Sequence, residues 1–381
     1  MKSIKPRRPS SPLLESNALK LTSRFSCDIF CRVVDNFGDV GVTWRLARQL
    51  AGEFNVATRL FVDDLASFGK LVREVDPRLC SQMFSLVNVH QWPDEDAILT
   101  PADCVIEAFQ CALPNRYVNA MAQRTPAPVW LNLDYLSAES WVSEHHLLPS
   151  PHPQLALTKY FFFPGFEART GGLLREHDLF LKRDAATPRT DASELRVFIF
   201  AYPNRALSTL IAAIESSTTR AMITLPEGKL AEQYLQNNDA KTSNANINIQ
   251  PFVPQTAFDA LLWANDICIV RGEDSFVRAQ WAAKPFVWHI YPQAEDVHWQ
   301  KLTAFLDRYC IGLPSHAEAS VREMWRAWNA EDAGAIASAW QSFLAHREDL
   351  EIHARNWADQ LAKQVDLATN LVTFVEKSAK I

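Results

Sequence analysis

Short apolar runs alternate with stretches of helical periodicity from Phe25 onward. Residues 25–34 are mostly apolar and predict a buried strand. Residues 40–54 place Trp44, Leu46, Ala47 and Leu50 on one face of a helix, and residues 56–62 predict a second strand. Runs at 103–109 and 129–133 read as further parallel strands, with a helix around 117–123 between them. Strand, helix, strand in this order predicts a doubly wound parallel sheet.

The rhythm is lost over residues 141–189, where Pro, His and aromatic residues crowd together, and it restarts at Leu195. Strands are predicted at 195–202, 221–225, 247–252, 266–270 and 286–289, with helices starting near Arg205, Gly228, Gln255, Glu273 and Glu295. Residues 317–381 are helical in pattern and carry no strand signal. The predicted fold class is α/β: two Rossmann-like domains facing a central cleft, with C-terminal helices, as in B-type (GT-B) glycosyltransferases. The predicted division is a basic disordered tail at 1–24, a first domain at 25–185, a second at 190–350 and a helical segment at 351–381.

Composition narrows the class. At 381 residues the chain exceeds the size at which one core stops growing, and its 48% hydrophobic content suffices for two. A formal net charge of -6 offers no general attraction to phosphate backbones, so no nucleic-acid partner is expected. Apolar runs fall short of the roughly 20 residues that span a bilayer, so no membrane partner is expected either. The seven cysteines are scattered, mostly through apolar stretches, without metal-ligand spacing; this reads as reduced thiols in the cytoplasm. The first two dozen residues are basic and rich in Ser and Pro, without the apolar core of a signal peptide.

Two loops at strand ends carry the candidate chemistry, because ligands of open α/β sheets bind at the carboxyl ends of strands. The first, Asp35-Asn36-Phe37-Gly38-Asp39, presents two carboxylates where a dinucleotide site would have a glycine-rich cradle. They can converge on one cation or one acidic proton; alternatively, Asp39 caps the helix and Asp35 closes an Asx-turn. The second, Arg271-Gly272-Glu273-Asp274-Ser275, opens a helix whose free N–H groups and positive dipole end suit a diphosphate; the alternative is an Asp/Ser cap beside a buried Arg. Phe198, Phe200, Tyr202, Phe252, Gln255 and Phe258 cluster at two further strand ends and offer a stacking face for a nucleobase, although aromatics at alternate strand positions also serve as core. Asp94-Glu95-Asp96 reads as a solvated turn, and no metal constellation stands out.

These loops, together with Asn132-Leu-Asp-Tyr-Leu-Ser-Ala-Glu139, Lys159-Tyr-Phe-Phe-Phe-Pro-Gly-Phe166, Thr170-Gly-Gly-Leu-Leu-Arg-Glu176 and Trp288-His-Ile-Tyr-Pro-Gln293 followed by His298 and Lys301, resemble the EarP family of protein-arginine rhamnosyltransferases. The resemblance implies an inverting transferase that moves rhamnose from dTDP-β-L-rhamnose, a donor substrate rather than a cofactor, onto an arginine of translation elongation factor P. It implies no metal. It makes Asp35, Asp39 and Glu273 the essential acids; the high pKa of a guanidinium then calls for late or concerted proton transfer, with Asp39 as general base and Asp35 as orienter. Asn36, Phe37, Gly38, Phe198, Phe200, Tyr202, Phe252, Gln255, Phe258, Arg271, Gly272, Asp274, Ser275 and Tyr291 would form the donor site. Asp35, Asp39 and Glu107 would face the incoming arginine. Asp134 stands where the family pattern has Glu, with the same charge on a shorter arm. On the residues alone, a nucleotide-sugar epimerase and a non-catalytic binding protein remain open.

Overall fold

Cys27, Ile29, Phe30 and Cys31 lie fully buried along the first strand, so that strand must run through the middle of a sheet covered on both faces. A computed structural model describes residues 23–33, 37–94, 99–186, 193–217, 220–237 and 246–379. In it, β1 (Ser26–Cys31), β2 (Ala57–Val62), β3 (Ser81–Phe84), β4 (Val87–Gln91), β5 (Cys104–Ala108), β6 (Val129–Leu133), β7 (Pro149–Pro151) and β8 (Thr158–Phe162) form one sheet. Its order is β3-β4-β2-β1-β5-β6-β8-β7, parallel except for the two edge pairs. The second sheet, β9 (Leu195–Ile199), β10 (Ala221–Pro226), β11 (Asn246–Gln250), β12 (Ile267–Arg271) and β13 (Phe286–His289), has the order β11-β10-β9-β12-β13 and is wholly parallel.

The two halves are those expected from periodicity. The edge hairpins β3–β4 and β7–β8 were not: apart from Val87, Val89 and Phe162 their residues are partly buried or exposed, and β7 is only the three residues Pro149, Ser150 and Pro151. The stretch 141–189 therefore contributes two strands to the first sheet before serving as connection. Residues 1–22 of the expected tail, residues 187–192 of the junction, Asp35, Asn36, Glu95 and Asp96 lie outside the described residues.

A buried carboxylate organises the middle of the first sheet. Asp28 on β1 is fully buried, accepts both arms of the Arg59 guanidinium on β2 at 2.6 Å, and accepts the Ala102 N–H at 3.0 Å and the Tyr117 hydroxyl. Paired and bonded in this way, it avoids the penalty of an isolated buried charge.

The chain ends by crossing back. The helix Arg347–Ala362 packs on the second core through Leu350, Trp357 and Leu361, so the expected boundary at 350/351 falls inside it. The helix Leu367–Ala379 then packs on the first core through Leu367, Leu371, Val372 and Val375. Its entry is tied to the 170–173 segment: Leu367 N–H donates to Leu173 O at 3.0 Å and Asn370 Nδ2 to Gly171 O at 3.1 Å. Gly172 makes that approach possible, with φ of +79° and a would-be Cβ only 2.4 Å from Val365 O.

Gly172→Ala should therefore destabilise the chain by at least the ~1–3 kcal/mol of a strained backbone. Gly52→Ala, at an exposed position in the last turn of the helix Gly38–Phe54 with open space around it, should stabilise by roughly 0.5–1 kcal/mol. Urea unfolding of the two variants checks both signs.

Candidate active site

The carboxyl ends of β1 and β12 face one another across the halves, and each runs directly into a helix. After β1 comes the helix Gly38–Phe54, with Phe37 as its capping residue and no side-chain cap. Asp39 is therefore not the cap; it sits in the first turn, 3% exposed. After β12 comes the helix Glu273–Trp281, preceded by Gly272 at φ of +66°, a left-handed conformation that favours glycine. The two helices cross in contact.

Two connected hollows open at this crossing, with Gly38 and Gly272 in the wall of both. One is a narrow slot whose aromatic lining is Phe37, Phe200, Phe252 and Phe258, with Arg271 and Ser275 beside it. The Arg271 guanidinium lies 4.9 Å from the Phe200 ring centroid and 4.7 Å from that of Tyr202, so stacking holds it at the slot. A cation and a helix N-terminus thus stand together beside an aromatic pocket, the combination that suits a nucleoside diphosphate.

The second hollow, of about 290 Å³, holds the acids. Asp39 accepts a hydrogen bond from the Tyr135 hydroxyl. Glu273 Oε2 accepts the Leu136 N–H at 3.1 Å, and Lys301 Nζ lies 5.6 Å from the Tyr135 ring centroid. Tyr135 is stacked on Phe109 at 4.5 Å, and its backbone is fixed by Asp134, which accepts the Tyr135 N–H at 2.8 Å. Asp134 is also held by Asn132 and Gln110, each at 3.1 Å. Its work is to shape this loop.

Burial is the main cause that lifts Glu273 from its ordinary 4.5 to about 8; the negative charge of Asp39 adds to it, while the Leu136 N–H and Lys301 oppose it. Burial followed by the charges of Asp39 and Glu273 likewise raises Tyr135. At neutral pH the hollow thus holds Glu273 mostly protonated and keeps the Tyr135 hydroxyl as a donor.

Most residues expected at the donor loop converge here, and Tyr291 stands half-exposed at the rim of the acidic hollow. Three stand differently. Phe198 is fully buried inside β9, paired with Thr224 and Cys268, and serves the core; the strand ends one residue short of Phe200, which turns into the slot. Glu107 lies on β5 with its carboxylate bonded to Lys159 Nζ at 3.1 Å and to the Ala112 N–H at 3.2 Å, and it does not line the acidic hollow. Asp274 borders the slot, but its oxygens are bonded to Arg45 and Gln255. Tyr135, Leu136, Phe109 and Arg45 were not anticipated. Tyr135 and Leu136 sit in the 132–139 motif, the one signal that pointed to them.

Residues 27–376 match the profile of the family described as Elongation-Factor P (EF-P) rhamnosyltransferase EarP. A protein-arginine rhamnosyltransferase of Pseudomonas putida is 45% identical over 375 residues, covering 92% of this chain and 98% of that protein. One of Neisseria meningitidis is 35% identical over 390 residues, covering 94% and 99%. Among solved structures, one described as the structural basis for EarP-mediated arginine glycosylation of translation elongation factor EF-P aligns with a TM-score of 0.61 and 30% identity, over 93% of this chain and all of that one. The spinosyn rhamnosyltransferase SpnG, at 12% identity and a TM-score of 0.52, shares the fold. The chain belongs to the EarP family and is a GT-B glycosyltransferase.

Because folding favours the protonated form of Glu273, its contribution to stability is complete below about pH 4.5 and is lost as pH rises through about 8. The melting temperature of the wild type should accordingly fall relative to that of Glu273→Gln between pH 6 and 9. A constant offset across that range would mean that Glu273 ionises at its ordinary value.

Proposed function

We propose that this chain transfers rhamnose from dTDP-β-L-rhamnose to an arginine side chain of translation elongation factor P, with inversion at the anomeric carbon. Support comes from the names of its relatives and, on the chain itself, from one juxtaposition: an aromatic slot with a cation and a helix N-terminus opens directly onto a shielded pair of carboxyl groups.

An arginine guanidinium has a pKa of about 12.5 or more and delocalised lone pairs, so it is a weak nucleophile. A hollow that holds Asp39 and Glu273 draws the cation in and can orient one nitrogen by charge-assisted hydrogen bonds. The cation in turn favours ionisation of Glu273, so acceptor binding near neutral pH is accompanied by proton release from that residue. The guanidinium nitrogen then attacks the anomeric carbon, the bond from that carbon to the diphosphate oxygen breaks, and the electron pair leaves with dTDP. The nitrogen loses its proton to Asp39 as the new bond forms, because a carboxylate cannot deprotonate arginine beforehand. Asp39 acts as base and Glu273 as holder of the charge; Asp35, expected to share that second task, lies outside the described residues. Arg271 and the N-terminus of the helix Glu273–Trp281 meet the departing diphosphate, so the reaction as proposed requires no metal or cofactor. The setting proposed is the cytoplasm, where the acceptor works; none of the helices among the described residues is long and apolar enough to cross a membrane.

Incubation with dTDP-rhamnose and purified elongation factor P should raise the mass of the acceptor by one deoxyhexose on a single arginine, read by mass spectrometry. An unchanged acceptor would remove this reading. Asp39→Asn should still bind dTDP in calorimetry yet lose transfer by about two orders of magnitude or more, the usual weight of a general base. Full turnover in that variant would remove the base assignment.

The pH dependence of kcat/KM for the acceptor gives a further check. It should climb with pH and level off above about 8, since the ionised form of Glu273 holds the guanidinium. A profile already flat from pH 6 would place the charge on another group.

A further inference from the structure

Beneath the acidic hollow, one helical turn and more along from Asp39, the two halves are joined by buried charge. Arg45, on the helix that carries Asp39, is 1% exposed. Its Nε donates to Asp274 Oδ1 at 2.6 Å and its Nη2 to Asp274 Oδ2 at 3.1 Å, a two-pronged bond from the first half to the helix that carries Glu273. Gln255 Nε2 makes a second bridge at the same place, donating to Asp274 Oδ2 at 2.9 Å and to Gly41 O at 2.7 Å. Gly41 lies at the crossing itself: a Cβ there would sit 3.5 Å from Asp274 Cβ. The remaining arm of Arg45 reaches Glu176 of the connecting segment at 2.8 Å, and Glu176 bonds Arg278 at 2.5 Å.

We infer that Arg45 and Asp274 are a positioning pair that sets the spacing between Asp39 and Glu273 across the two halves, and that Asp274 acts on transfer through Arg45 rather than by holding the donor. The geometry carries this. Glu273 and Asp274 are neighbours at the start of one helix, and Arg45 lies six residues, about 9 Å of helix, from Asp39 on the other. A planar fork on a carboxylate fixes both distance and angle, which a single point charge does not. Both oxygens of Asp274 are already committed, whereas Arg271 and Ser275 at the slot are the groups that point to a diphosphate. The slot lies chiefly on the second half and the acid Asp39 on the first, so slackening the fork disturbs their alignment more than it disturbs donor affinity.

This inference rests on the transferase reading, and the experiment separates the two. In the full chain, Arg45→Lys keeps a buried cation but loses the fork. It should lower kcat about tenfold or more, the scale expected for misplaced reacting groups, while the Kd for dTDP by calorimetry changes by less than about threefold. Asp274→Asn should cost much less in the Arg45→Lys background than in the wild type, because both changes remove one interaction. Wild-type kcat in Arg45→Lys, or a large loss of dTDP affinity in Asp274→Asn with additive effects in the pair, would overturn it. Should the wild type itself fail to modify the acceptor, the transferase reading falls and hydrogen exchange decides the pairing. Arg45→Lys then speeds exchange at the start of the helix Glu273–Trp281 if the fork holds that helix, and leaves it unchanged if it does not.

Discussion

Asp39 and Glu273 come from opposite halves of the chain and share a hollow in which burial keeps Glu273 mostly protonated at neutral pH. Two carboxylates in a shielded space repel, and the molecule answers by leaving one protonated and turning the Tyr135 hydroxyl onto the other. The arrangement is incomplete in a defined way. In the proposed reaction it accepts a cation, and the entry of that cation lets the second carboxyl ionise. A guanidinium, flat and able to give several hydrogen bonds at once, fills that need better than an ammonium would.

The architecture exists to bring these groups together without bending either half. Each sheet sends the end of a central strand, β1 or β12, into a helix whose first turn carries an acid, and the helices cross close to those first turns. Glycines are used where close approach or special backbone geometry demands them: Gly272 turns the chain with positive φ, and Gly41 keeps the crossing tight. The last helix returns to the first core over Gly172, so the chain passes between the halves at its middle and again at its end. Two such passages, with the buried charges beside them, hold the crossing in place.

Much of this was legible in the order of residues. The parallel strands show as apolar runs because each is covered on both faces, and the loops at 35–39 and 271–275 stand out because acids and a glycine sit where strand gives way to helix. The edge hairpins were hidden because partly exposed strands lack that signal. Phe198 and Phe200 have the same residue type and the same alternation, and only the end of β9 decides that one is core and the other lines the slot. Glu107 looked acidic and well placed, but Lys159, 52 positions away, had already claimed it. The same holds for Asp274 and Arg45, 229 positions apart: local patterns name the charges, and tertiary contacts choose their partners.

Those choices separate two kinds of buried charge. Around the crossing, Arg45, Arg48 and Arg278 face Glu176, Asp259 and Asp274, three cations against three carboxylates, each with a partner within 4 Å. Such a set is close to neutral, and removing one member leaves another stranded in low dielectric. Among the described residues that line the neighbouring hollow, Lys301 is the one cation against Asp39 and Glu273. A folded chain tolerates that excess of acid only by holding a proton on Glu273, and a proton is a small cation that a larger one can replace. The balanced group therefore belongs to the frame and the unbalanced group to the reaction proposed above, although the two lie on the same pair of helices and are built from the same residue types.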